Sequence, residues 1–231
     1  MALYDQALHY EGDLYRNVVS LRVSRNLADD LSDDPADADL FADAEMRSKP
    51  RRPVPAINRP FETGYGQAVL YPFVQPQWFA TRFSDGRHAA WYGSLDLETT
   101  VHETVYHFRR RLIGEVGLQR HSRPIIGERR VYRVAADALL IDLRGKLDEE
   151  PGLVDPDSYA VCQRIGRELQ QRRHPGVLTR SARCSGDNAV LFDQHYLSDV
   201  RDHCYLTYRY DPADGAVVVE RTPGQPWLRL N

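Results

Sequence analysis

Residues 94–112 read SLDLETTVHETVYHFRRRL, and the fold turns on what this stretch is. Its apolar residues Leu97, Val101, Val105, Phe108 and Leu112 fall at steps of four, four, three and four, the spacing of one buried stripe on an α-helix. Glu103 lies almost opposite that stripe, where a solvated surface carboxylate is the ordinary occupant. The central HETVYH invites comparison with a zinc-binding helix, but its histidines are five residues apart rather than three or four. At about 100° per residue, His102 and His107 point roughly 140° apart and do not converge on one ion. No metal is expected.

Outward from this helix, residues 76–93 (PQWFATRFSDGRHAAWYG) read as two strands about an Asp85-Gly86 turn signal, with Arg82 on the first and Tyr92 on the second. Residues 13–23 are rich in β-branched and aromatic side chains and form a strand carrying Arg16. Residues 26–60 are acidic and then proline-rich, an excursion over the surface with a short helix near 38–47. Downstream, 128–145 gives two short strands, 158–174 a second amphipathic helix, and 175–183 and 188–193 further strands. Residues 203–222 form a hairpin turning at DPADG. Strands and helices mix without regular βαβ alternation, which predicts an α+β fold in one domain over residues 1–231.

The 231 residues, 42% hydrophobic and 27% charged, suffice for a full core. A formal net charge of -3 and short, interspersed arginine clusters argue against direct nucleic-acid binding. No run of about 18 apolar residues is present, and MALYDQALHY lacks the segments of a signal peptide, so no membrane partner and a cytoplasmic location are expected. Cys162, Cys184 and Cys204 are odd in number and lack C-x-x-C spacing, which suits a reducing compartment, with each as a small buried apolar residue.

The common nucleotide motifs are missing. There is no G-x-x-x-x-G-K-[ST], GYGQAV (64–69) lacks the third glycine of a dinucleotide fingerprint, and there is no G-x-S-x-G elbow. What remains is a scattered polar set: Arg16 in YRN, Arg82 in TRFSDG, Tyr92 in WYGS, Glu103 in VHET and Ser181 in RSAR. Singly, each has an ordinary structural explanation as an ion-paired arginine, a half-buried tyrosine or a turn serine.

In order and spacing these residues resemble the RES domain family, named for its Arg, Glu and Ser, whose members are toxins of bacterial toxin–antitoxin modules. The likeness rests on 82–107 (RFSDGRHAAWYGSLDLETTVHETVYH), INRPFETG (57–64), LLIDLRG (139–145), QRIGREL (163–169) and RSARCSGDNAVLF (180–192). It departs from the family pattern at TRFSDG and at Ala160 and Cys162, where some members carry a serine. The resemblance implies an ADP-ribosyltransferase-like split antiparallel sheet holding NAD, as substrate, in a central cleft. It further implies an NAD-destroying activity, with Glu103, Arg82 and Tyr92 as catalytic residues and Arg16 and Ser181 binding substrate. A cognate helix-turn-helix antitoxin is implied as partner, and a homodimer is left open. Hydrolysis, phosphorolysis, ADP-ribosyl transfer to a protein and a non-catalytic binding module all stay open.

The residue types suit the chemistry. Cleaving the nicotinamide–ribose bond builds positive charge on the sugar, which a fixed carboxylate such as Glu103 stabilises by ~3–4 kcal/mol in a water-poor site. Arg16 and Arg82 offer planar forks for phosphate oxygens, Tyr92 an aromatic face for nicotinamide, and Ser181 a small hydroxyl to orient the amide or ribose. A strict two-residue turn at Asp85-Gly86 would pair Arg82 with Ala89 and put Tyr92 on the opposite face, so a shared cavity requires a longer loop or a bulge.

Overall fold

A computed structural model of the chain describes residues 3–20, 71–74, 78–110 and 123–231. The acidic and proline-rich excursion with its expected helix near 38–47, the GYGQAV loop and positions 21–23 and 111–112 lie outside these residues. The class is α+β, as expected. Packing divides the chain into two compact units, one of Met1–Asn17, Gly64–Glu103 and Tyr132–His203, the other of Val18–Thr63, Thr104–Val131 and Cys204–Asn231.

In the first unit the strands lie in the order β1 (Ala7–Val19), β4 (Trp91–Ser94), β7 (Asp187–Leu191), β6 (Gly176–Arg180) and β5 (Ile125–Asp142). Three neighbouring pairs are antiparallel, but β5 and β6 are parallel, so the sheet is mixed rather than wholly antiparallel. The reason is the connection. Between these strands the chain runs through α2 (Ala160–Gln171), a crossover that returns it in the same direction. Residues 162, 165, 166 and 169 of α2 are buried, a stripe at helical spacing that packs against Phe83, Ile141, Leu143, Val177 and Val190. Strand β6 is buried at four of its five positions, as befits a strand inside a sheet.

Helix α1 (Leu97–Arg109) starts where Asp96 accepts hydrogen bonds from the backbone N–H and the hydroxyl of Thr99, both at 2.7 Å. Val101 and Val105 of its apolar stripe are buried in the core.

Two local expectations are corrected. Residues 128–145 do not break into two strands; β5 is one strand of 18 residues. Its burial alternates with period two at Tyr132, Val134, Ala136, Ala138 and Leu140, so the small alanines point inward on a continuous ladder. The hairpin expected about Asp85-Gly86 instead turns at Arg82-Phe83. Short strands β2 (Ala80–Thr81) and β3 (Ser84–Asp85) pair across it, Thr81 opposite Ser84 and Ala80 opposite Asp85. Asp85-Gly86 is still a bend, with Gly86 at φ +87°, but it leads out of the hairpin toward β4.

In the second unit the DPADG turn is as expected. Strands β8 (Leu197–Tyr210) and β9 (Val217–Thr222) pair antiparallel around it, Asp211 N–H donates to the Ala216 carbonyl, and Gly215 takes φ +73°. A second reversal at Gly224 (φ +77°) adds β10 (Gln225–Leu230), a strand the sequence reading missed. Tyr208 is fully buried there, its hydroxyl 2.8 Å from that of Thr104 and its ring edge-on to Phe108.

Candidate functional site

The site is built within the first unit. Glu103 sits on α1 two positions from Val101 and two from Val105, so burying those valines leaves its carboxylate at the margin of the core. It is half-buried rather than solvated, and its Oε1 accepts two hydrogen bonds: from Ser181 Oγ at 2.7 Å and from Asn188 Nδ2 at 2.8 Å. Among the described residues Oε2 has no hydrogen-bond partner. One oxygen is held and the other is open.

Each donor is itself fixed. Ser181 follows β6, and its Oγ accepts from the backbone N–H groups of Arg183 (3.0 Å) and Cys184 (3.3 Å). With both acceptor positions taken, the hydroxyl proton is directed at Glu103. Asn188 lies on β7 directly opposite Ser94 of β4, and its Oδ1 accepts from Ser94 Oγ at 2.7 Å, which orients the amide with its NH2 toward Glu103. Asn188 and Ser94 are both buried, and neither had been singled out from the sequence. The available signal was Asn188 as a polar residue next to the apolar run AVL, at an inward position of a strand.

Tyr92 and Ser94 stand two apart on β4 and therefore on one face of it. The Tyr92 hydroxyl accepts from Phe83 N–H at 2.7 Å and shares a hydrogen bond with the Thr81 hydroxyl at 2.8 Å, so it grips the residues on either side of Arg82. Burial of this phenol raises its pKa above the ordinary value, against the opposing pull of those two hydrogen bonds. Its ring packs on the cluster beneath α2.

Arg82 extends from the turn so that Nη1 donates to the Asp155 carbonyl at 2.8 Å, and its guanidinium stacks 4.4 Å from the centre of the Tyr159 ring. Its Nη2 is buried, and the guanidinium interacts with the core thiol of Cys162, pulling against the desolvation that raises the thiol's pKa. Arg16, on β1, donates from Nη1 to the Tyr92 carbonyl at 2.8 Å and lies over the Trp91 ring. The structure thus joins Glu103 with Ser181, and joins Arg16, Tyr92 and Arg82 in a second group, with β4 common to both.

An open cleft of about 490 Å³, within the range of small-molecule sites, is lined by Leu147, Val154, Arg180, Ser181, Ala182, Cys184 and Ser185. Of the five residues named from the sequence, only Ser181 lines it. Glu103 is bonded to that serine, and Val154 precedes the Asp155 that holds Arg82. Cys184 and Cys204 are half-buried, and only Cys162 is fully buried as expected, its thiol pushed up to about 11 by desolvation. His102 lies 3.9 Å from Glu98 and His107 is exposed, and among the described residues no group of three metal ligands forms.

No curated protein matches the chain. Among solved structures, a chain of the crystal structure of the M. tuberculosis MbcT-MbcA toxin–antitoxin complex is similar at 14% identity, with 90% of this chain and 88% of that one covered and a TM-score of 0.47. The sequence model of the RES domain matches residues 56–211. That span contains Arg82, Tyr92, Glu103, Ser181 and Asn188, and leaves Arg16 outside. Covering more than half of the sequence, the match establishes that this chain belongs to the RES domain family.

Proposed function

We propose that this chain is an NAD-consuming enzyme of the toxin type, cleaving the nicotinamide–ribose bond by hydrolysis or phosphorolysis. The observation that carries this reading is the half-committed carboxylate of Glu103, held through Oε1 by Ser181 and Asn188 with Oε2 open. A carboxylate so fixed does not have to reorganise when positive charge develops on the ribose. Oε2 accepts a hydrogen bond from a ribose hydroxyl and faces the oxocarbenium-like transition state. The C1′–N bond breaks and nicotinamide leaves neutral. The oxygen of water, or of phosphate, bonds to C1′, and with water one proton is released.

Arg82 supplies the diphosphate contact, its planar guanidinium being suited to phosphate oxygens. Arg16 adds a second positive charge while anchoring β4. Ser181 acts by holding Glu103 rather than by touching nicotinamide, because its donor and both acceptor positions are occupied. Family membership supports a cognate antitoxin as the partner, and an NAD substrate supports action in the cytoplasm.

The test is nicotinamide release from NAD by the purified protein, with and without phosphate. Free ADP-ribose as product shows hydrolysis, and the 1-phosphate shows phosphorolysis. We expect Glu103→Gln to lower turnover by about 10²–10³. Absence of both NAD cleavage and NAD binding by the wild type overturns the reading, and label accumulating only on a protein acceptor replaces it with ADP-ribosyl transfer.

A further inference from the structure

The hairpin that carries Arg82 has only two rungs, Ala80 with Asp85 and Thr81 with Ser84. Two short strands do not hold a turn in place by themselves, so its position is imposed from outside. The contacts that impose it converge on α2. Gln163 Nε2 donates to the Thr81 carbonyl at 3.0 Å. Gly166 passes so close to the Phe83 carbonyl that a Cβ built there would lie 2.0 Å from its oxygen, backbone that cannot give way. Arg167 Nε donates to Asp85 at 2.9 Å. Positions 163, 166 and 167 share one helix face, and that face is fitted to the hairpin.

The other end of the Arg82 side chain is held by the segment leading into the same helix, through the Asp155 carbonyl and the Tyr159 ring. Residues 155–167 therefore grip both the backbone of Arg82 and its guanidinium, while Tyr92 closes the turn from the sheet side. We propose that Gln163 and Gly166 are positioning residues for Arg82, forming with Tyr92 a socket that fixes the turn carrying its guanidinium. The Q-x-x-G spacing in QRIGREL follows directly: one residue donates to the carbonyl before Arg82, and the other makes room for the carbonyl after it.

This inference rests on Arg82 as the diphosphate contact, and the experiment separates the two. Gln163→Glu keeps the shape but cannot donate to a carbonyl, whereas Gly166→Ala acts by collision and is the variant more prone to misfold. Steady-state NAD kinetics are measured for Gln163→Glu and Gln163→Ala, each alone and combined with Arg82→Ala, beside a crystal structure of Gln163→Glu. We expect both Gln163 variants to raise KM for NAD about tenfold with kcat within about twofold, and to have no further effect once Arg82 is gone. The crystal structure should show the Thr81–Phe83 turn and the guanidinium displaced. Equal effects with and without Arg82, wild-type kinetics for Gln163→Glu, or an unmoved turn each overturn the socket. If the wild type neither binds nor cleaves NAD, the functional reading fails, and the position of the turn in the variant decides the socket by itself.

Discussion

Ser181 has one proton to donate, and two backbone N–H groups occupy its acceptor side, so its only free choice is the Glu103 carboxylate. Replacing it by alanine removes one of two donors on Oε1, and we expect kcat to fall about tenfold with KM little changed, well short of the loss on removing the carboxylate. Asn188 is more demanding because it is buried and bonded on both sides of its amide. Asn188→Ala leaves the buried Ser94 hydroxyl without its acceptor and is expected to cost about 1–3 kcal/mol in denaturant unfolding, besides lowering turnover. Asn188→Asp sets a second carboxylate against Glu103. Like charges resist joint ionisation, so the acidic limb of the kcat/KM profile should move to higher pH, and an unmoved limb would show that Glu103 is not the group being read.

At the scale of elements, close backbone approach decides which positions admit a side chain. A Cβ at Gly176 would lie 1.9 Å from the Val190 carbonyl oxygen and 3.0 Å from its carbon, both backbone of the paired strand β7. Gly176→Ala has to push β6 and β7 apart beneath α2, and we expect a loss of about 1–3 kcal/mol or more and a Tm fall on the order of 5–10 °C by calorimetry. The elements also show how far local pattern reaches. The α1 stripe, the strands near 175–193 and the DPADG hairpin were legible because periodicity and turn chemistry act within a few residues. The Arg82 hairpin was misplaced because Asp85-Gly86 is a true bend signal that serves the exit of the hairpin, while the turn at Arg82-Phe83 has no turn-forming residue of its own and is pinned by Tyr92 and Gln163. Strand β5 is continuous because the alternating burial in the sheet runs unbroken through the alanines, whose strand preference is weak.

For the molecule as a whole, two histidines contribute a response to mild acid. His88 and His174 both titrate below the ordinary histidine value of 6.5, chiefly because burial disfavours the charged ring. In His88 burial outweighs the hydrogen bond to the Phe83 carbonyl and the charge of Asp85, both of which pull upward, while Arg167 adds to the lowering. A depressed histidine is protonated more readily in the unfolded chain, so stability is full above pH 6.5 and declines as pH falls through 6.5 toward the folded values. The paired carboxylates Asp85 and Asp142 are shifted below 3.8, so their share is lost only at far lower pH. Tm measured from pH 8 to 5 should fall mainly below 6.5, and His88→Asn should flatten the slope. Strands β1, β5 and β8 and helix α1 each begin in one compact unit and end in the other, so no single cut of the chain separates the units, and we expect one calorimetric transition.

The residues alone were enough to establish the α+β class and the family likeness, and to single out Arg16, Arg82, Tyr92, Glu103 and Ser181 as candidates, because each depends on local spacing or on a motif read in order along the chain. Which oxygen of Glu103 is held, that Asn188 holds it, and that α2 holds the Arg82 turn were decided only by tertiary structure. Those contacts join residues 78, 85 and 82 positions apart, across strands and helices whose registers no local propensity encodes.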